Sequence, residues 1–179
     1  MSWRFQLLNK PYGSVTEGPV WDGENLLFTH IAASRIYRCD HKTDEITVWR
    51  EGTNLTNGLA HDEQGQLFGA CSGGRAIVRF DPDGNNVIVA NGFDDHKLNT
   101  PNDLAVDRQG RIWFTNPWNA TNIDPSEIEE PGLRAVLCAT PQADGSYSVA
   151  RVETDSTMPN GILGSIDGNT LYVAESNSD

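Results

Sequence analysis

A strand-turn-strand unit recurs four times along this chain, and it restricts the fold more than any other feature. Glu17-Gly18-Pro19-Val20-Trp21 leads into Asn25-Leu26-Leu27-Phe28-Thr29-His30. Asn57-Gly58-Leu59-Ala60-His61-Asp62 leads into Gln66-Leu67-Phe68-Gly69-Ala70. Asn102-Asp103-Leu104-Ala105-Val106-Asp107 leads into Arg111-Ile112-Trp113-Phe114-Thr115, and Asn160-Gly161-Ile162-Leu163 into Asn169-Thr170-Leu171-Tyr172-Val173-Ala174. Each unit opens on a polar corner, runs through a short apolar strand, crosses an Asp/Gly turn and continues into a second strand. The anchors stand at positions 17, 57, 102 and 160. A repeat of about 40–45 residues with four short strands is the signature of a β-propeller blade.

The segments between the anchors fit that reading. Strand-like runs at 35–40 and 45–50 complete a first blade, about 15–50; runs at 76–81 and 86–90 complete a second, about 55–92. Runs at 135–140 and 147–153 complete a third, about 100–154, and a fourth begins at about 157 and runs to 179. The third interval is long because of an insert, 117–131, which carries Trp118 and the acidic stretch Ser126-Glu127-Ile128-Glu129-Glu130. The predicted fold class is therefore all-β, a β-propeller present as an incomplete N-terminal portion in a single partial domain, 1–179. Three and a half blades leave sheet edges and an apolar face uncovered. A missing C-terminal half or a partner chain is expected to close the ring.

Composition narrows the partners. Thirteen basic residues against 25 acidic ones give a net charge of −12. Such a surface repels nucleic acid and anionic lipid, so neither is an expected partner. No apolar run approaches the roughly 20 residues of a membrane span, and the first residues lack a basic start followed by an apolar block. Cys39, Cys71 and Cys138 are widely spaced within strand-like runs, the pattern of reduced structural thiols. The expected location is cytoplasmic.

The repeat also gathers chemistry. The innermost strand of each propeller blade lines a central channel, so the starts of these strands converge at one mouth. Glu17, Asn57, Asn102 and Asn160 become neighbours there, each supplying a side-chain oxygen. One carboxylate with several amide carbonyls forms a hard-oxygen site suited to a divalent ion, Ca²⁺ first. Asn-Gly and Asn-Asp pairs are also ordinary turn pairs, and Asn57 is the weakest member of the set. Second strands end on the same face, so His30, Cys71, Asn116 and Glu175 are expected near that mouth, with His30 a pocket acid/base or a hydrogen-bonded structural residue. The insert at 117–131, including Trp118, lies on that face and could serve as a lid or substrate wall. No Gly-x-Ser-x-Gly elbow and no phosphate loop occurs.

Thr16-Glu17-Gly18-Pro19-Val20-Trp21, Asn99-Thr100-Pro101-Asn102-Asp103-Leu104-Ala105-Val106-Asp107, Trp113-Phe114-Thr115-Asn116-Pro117 and Met158-Pro159-Asn160-Gly161-Ile162 resemble the SMP-30/gluconolactonase (regucalcin-like) family. The resemblance implies a six-bladed propeller with a divalent metal at the channel, and a hydrolase that opens sugar lactones or similar esters. It assigns metal ligation to Glu17, Asn102 and Asn160; the ion would be Ca²⁺, with Zn²⁺, Mn²⁺ and Mg²⁺ as alternatives. The family's fourth ligand, an aspartate often given a direct part in catalysis, falls beyond Asp179, so no catalytic residue is assigned within this chain. Asp103 is expected beside the ligands, orienting Asn102 or capping the turn. Regucalcin-type members carry a substrate-contacting arginine where this chain has Thr100, so their sugar-acid preference does not transfer. The competing expectations are a non-enzymatic calcium-binding or interaction propeller, and an inactive fragment.

Overall fold

The computed structural model describes residues 3–118, 134–152 and 156–176. The architecture is all-β; among the described residues the one helical element is a 3₁₀ turn, Ile31–Ala33. The first antiparallel sheet runs in chain order through β1 (Thr16–Trp21), β2 (Asn25–His30), β3 (Arg35–Asp40) and β4 (Ile46–Glu51). The second follows as β5 (Thr56–His61), β6 (Leu67–Cys71), β7 (Ala76–Phe80) and β8 (Asn86–Ala90). A two-stranded hairpin, β9 (Gly92–Phe93) with β10 (His96–Lys97), precedes the third sheet. That sheet comprises β11 (Leu104–Val106), β12 (Ile112–Asn116), β13 (Ala135–Pro141) and β14 (Tyr147–Val152). β15 (Pro159–Gly164) and β16 (Leu171–Glu175) form a final pair.

The turns between first and second strands repeat one device. Asp62 Oδ1 accepts the N–H groups of Gln64 (2.9 Å) and Gln66 (2.8 Å), and Asp107 Oδ1 accepts those of Gln109 (2.9 Å) and Arg111 (3.0 Å). Gly65 and Gly110 close these turns at φ +77° and +74°, a left-handed conformation that glycine adopts without a Cβ penalty. The aspartate pins the turn and the glycine permits it, which is why Asp-x-x-Gly punctuates the sequence.

Two apolar layers hold the sheets face to face. Leu27, Ile36, Leu59, Leu67 and Phe80 pack between the first and second sheets. Phe68, Ile77, Leu104, Ile112 and Phe114 pack between the second and third. Phe114 and Ile112 are fully buried, and a side chain of that kind contributes about 1.5–3 kcal/mol of transfer free energy. This stacking sets the first strands side by side: β1 packs on β5, β5 on β11, and β11 on β15.

Candidate metal and substrate site

The four first strands line one cavity of about 930 Å³. Glu17, Asn57, Asn102, Asp103 and Asn160 all contribute to its wall. Glu17 is exposed, and the other four are half-buried. Among the described residues, the Glu17 carboxylate and the three asparagine amides make no hydrogen bond or ion pair with the protein. Four hard-oxygen side chains thus face one cavity without a partner.

Local backbone irregularity turns these side chains inward. The β1–β2 register shifts between Glu17 and Val20, the β5–β6 register between Thr56 and Leu59, and the β15–β16 register between Pro159 and Ile162. In the third sheet the Asn102 N–H donates to the Thr115 carbonyl (3.0 Å), while the Thr115 N–H donates to the Asp103 carbonyl (3.0 Å). A β-bulge of this kind opposes two residues to one and re-aims a side chain. The backbone carbonyls at the bulges are fixed across the sheet junctions. Asn57 C=O accepts from the Thr29 hydroxyl (2.9 Å), Asn102 C=O from the Gly58 N–H (2.8 Å), and Asn160 C=O from the Thr115 hydroxyl (2.6 Å).

Asp103 occupies the bulge position that Gly58 and Gly161 hold in the neighbouring strands. Its Oδ1 accepts the Leu104 N–H (2.9 Å), and its Oδ2 reaches across to the Ile162 N–H of β15 (3.1 Å). Burial pushes its carboxyl above the usual range; the two N–H groups offset part of this, and the nearby charge of Glu17 adds to it. A half-buried carboxyl whose ionisation burial and a neighbouring negative charge both disfavour creates a local demand for positive charge. No group of three His, Cys, Asp or Glu side chains suited to a metal occurs among the described residues. The candidate donors are one carboxylate and amides, which fit a hard divalent ion.

The remaining expected site residues fall elsewhere. Thr100 is buried and its hydroxyl donates to the Pro117 carbonyl (2.8 Å). Asn116 is buried and its Oδ1 accepts the Asn99 N–H (2.9 Å). With the Ser72 hydroxyl on the Pro101 carbonyl (2.7 Å) and the Arg75 Nε on the Leu98 carbonyl, they brace the segment that delivers Asn102. Glu175 serves Asn160 in the same way, accepting the Met158 N–H (2.9 Å). None of Thr100, Asn116, His30 or Trp118 lines the cavity. The His30 ring stacks on Tyr37 and tilts against Tyr12, and its Nδ1 is buried without a partner. Cys71 is buried beside Thr56 with its thiol pushed up to about 11, which keeps it protonated and unreactive. Trp118 is half-buried. The lid expectation for 117–131 lies outside the described residues from position 119 onward.

Sequence reasoning missed the hydroxyls. Phe28-Thr29 and Phe114-Thr115 recur at the same place in their units, and that repetition was the available signal. It is weak because threonine is ordinary in strands.

Known proteins share both the sequence and the architecture. Residues 15–179 match the family described as SMP-30/Gluconolactonase/LRE-like region. A gluconolactonase of Zymomonas mobilis is 31% identical over 180 residues, covering 92% of this chain and 49% of that protein. A gluconolactonase structure from Xanthomonas campestris superposes with a TM-score of 0.77 at 32% identity, covering 93% of this chain and 56% of that one. The calcium-binding protein regucalcin of Agrobacterium tumefaciens superposes with a TM-score of 0.70 at 20% identity, covering 94% and 53%, a likeness of propeller-like fold. The chain thus spans about half the length (49%) of the curated relative it matches.

Proposed function

The chain belongs to the SMP-30/Gluconolactonase/LRE-like family, and on that footing we propose that it contributes the metal-binding wall of a hydrolase that opens lactones. The supporting observation is the set of four unpartnered oxygen side chains, Glu17, Asn57, Asn102 and Asn160, on one cavity wall. Glu17, Asn102 and Asn160 would hold a divalent cation, Ca²⁺ by donor chemistry. When bound, that ion supplies electrostatic stabilisation to negative charge developing on a lactone carbonyl oxygen.

The chain's own residues divide the remaining work. Asn57 offers an amide to a hydroxylated substrate from the same wall. Asp103 is engaged with two backbone N–H groups, so its task is alignment of β11 with β15. Glu17 is a ligand before it is a base. Removal of a proton from the attacking water falls to the aspartate that the family resemblance implies beyond residue 179. The architecture we propose is a six-bladed ring, of which this chain carries blades at about 15–50, 55–92 and 100–154 and the start of another at 157–179. Further chain, or a partner chain, supplies the rest.

The test is direct. Purified protein is assayed against a panel of aldonolactones by continuous acid release, with and without EDTA, while Ca²⁺ uptake is followed by calorimetry. Glu17→Ala is expected to lose metal uptake and turnover together; unchanged turnover in that variant overturns the assignment. Ca²⁺ uptake without hydrolysis of any lactone or ester would favour a non-enzymatic calcium-binding propeller.

A further inference from the structure

We infer that Thr115 is the positioning residue that fixes Asn160 relative to Asn102, through a buried hydroxyl that bridges two adjacent sheets. The inference rests on the proposed ligand set for its consequence, although the bridge itself is independent of it.

Thr115 lies in β12 and is fully buried. Its Oγ1 accepts the Asp103 N–H (3.0 Å) on its own sheet and donates to the Asn160 carbonyl (2.6 Å) on the next. Its backbone meanwhile holds both halves of the bulge, accepting from Asn102 N–H and donating to the Asp103 carbonyl. One residue therefore touches the backbones of both asparagines assigned to the metal. A hydroxyl has one proton to give and lone pairs to accept with, so donation to Asn160 and acceptance from Asp103 are compatible.

The same device recurs at the other junctions. The Thr29 hydroxyl donates to the Asn57 carbonyl (2.9 Å), and the Ser72 hydroxyl donates to the Pro101 carbonyl (2.7 Å), immediately before Asn102. At every junction a buried hydroxyl from the preceding sheet grips the next sheet at or beside its bulge. Apolar faces alone tolerate sliding, because dispersion and area burial have no direction. A short directional bond at the bulge removes that freedom where the side chain leaves for the cavity. Thr29 supplies an internal control: it has the same residue type and burial and the same acceptor class, but it serves Asn57, which the ligand assignment leaves out.

Thr115→Val keeps the shape and deletes the hydroxyl; Thr115→Ser keeps the hydroxyl; Thr29→Val deletes the equivalent bond one junction away. Two measurements are made on each purified full chain. Backbone hydrogen exchange is expected to accelerate about tenfold at Ile162 in Thr115→Val, the scale of one net hydrogen bond, to return to the wild-type rate in Thr115→Ser, and to stay at that rate in Thr29→Val. Ca²⁺ affinity, measured with the metal alone, is expected to weaken about tenfold in Thr115→Val, the low end for loss of a group that orients a ligand. Thr29→Val is expected to stay within about twofold of wild type. Unchanged Ile162 exchange in Thr115→Val overturns the inference, as does equal loss of affinity in both valine variants. Wild-type chain that takes up no Ca²⁺, with the exchange pattern as expected, would remove the ligand assignment and leave the bridge supported.

Discussion

At the residue scale, Asp103 and Gly58 are a matched pair. A Cβ on Gly58 would sit 2.2 Å from Asp103 Oδ1 and 2.7 Å from its Cα, with the Asn102 carbonyl at 3.0 Å. Backbone atoms cannot retreat as a flexible side chain can, so space for Asp103 exists only because position 58 lacks a side chain. Gly58→Ala is expected to destabilise the protein by about 1–3 kcal/mol and to displace the Asp103 carboxylate. Gly161 sits at the same bulge position, but a Cβ there would meet Asp103 Oδ2 at 3.8 Å, an ordinary contact. Gly161→Ala should stay close to wild type. Urea denaturation of the two variants separates a true steric lock from a general intolerance of alanine at bulges; equal losses would count against the lock.

At the element scale, the Asp-x-x-Gly turn carries a pH dependence. Burial alone would raise the Asp107 carboxyl, but Trp113 Nε1, the Arg111 side chain and the N–H groups of Arg111 and Gln109 together hold it below its usual 3.8. A depressed folded value means that the unfolded chain binds the proton first. The stability it contributes is then present above the unfolded value and is lost as pH falls through the folded one. Acid titration of unfolding free energy should show a fall below about pH 4 that is shallower in Asp107→Asn; an identical acid limb would rule the turn out as its source. The same turns made the all-β meander legible in the sequence, because Asp and Gly have specific backbone tasks there. The apolar residues between them alternate plainly enough to mark the strands. The bulges were not legible: Asn-Gly and Asn-Asp read equally well as turns, and only the pairing with the neighbouring strand of the same sheet distinguishes the two. Nor did sequence reveal that Thr100 and Asn116 face inward as braces, since their partners, Pro117 and Asn99, lie 17 residues away and nothing local specifies the direction of the side chain. His30 was equally opaque, because Tyr12, the ring tilted against it, comes from the segment ahead of β1.

At the scale of the whole molecule, the layers are unequal. The interior of the second and third sheets is sealed, whereas the last pair presents Leu163 at 66%, Ile166 at 94% and Tyr172 at 60% exposure. An apolar face of that kind is an association surface. Sedimentation of the 179-residue chain should show a mass that rises with concentration, and Leu163→Lys combined with Tyr172→Lys should suppress the rise. A wild-type chain that stays monomeric throughout the micromolar range would show that this face is not adhesive.

The glycine-aspartate-glycine order at the bulges has one more consequence. Repeated units look alike to one another, and repeat proteins misassemble by docking the wrong neighbours. Here the seats are not interchangeable. A strand offering Gly58 admits the Asp103 side chain, and β15 presents the Ile162 N–H that the carboxylate needs. A unit docked one place out of turn would face a glycine where an acid is required, or an acid where there is no room. The two seams that flank β11 therefore have their own lock and key, and the order of the sheets there is written into the residues that meet at the bulges.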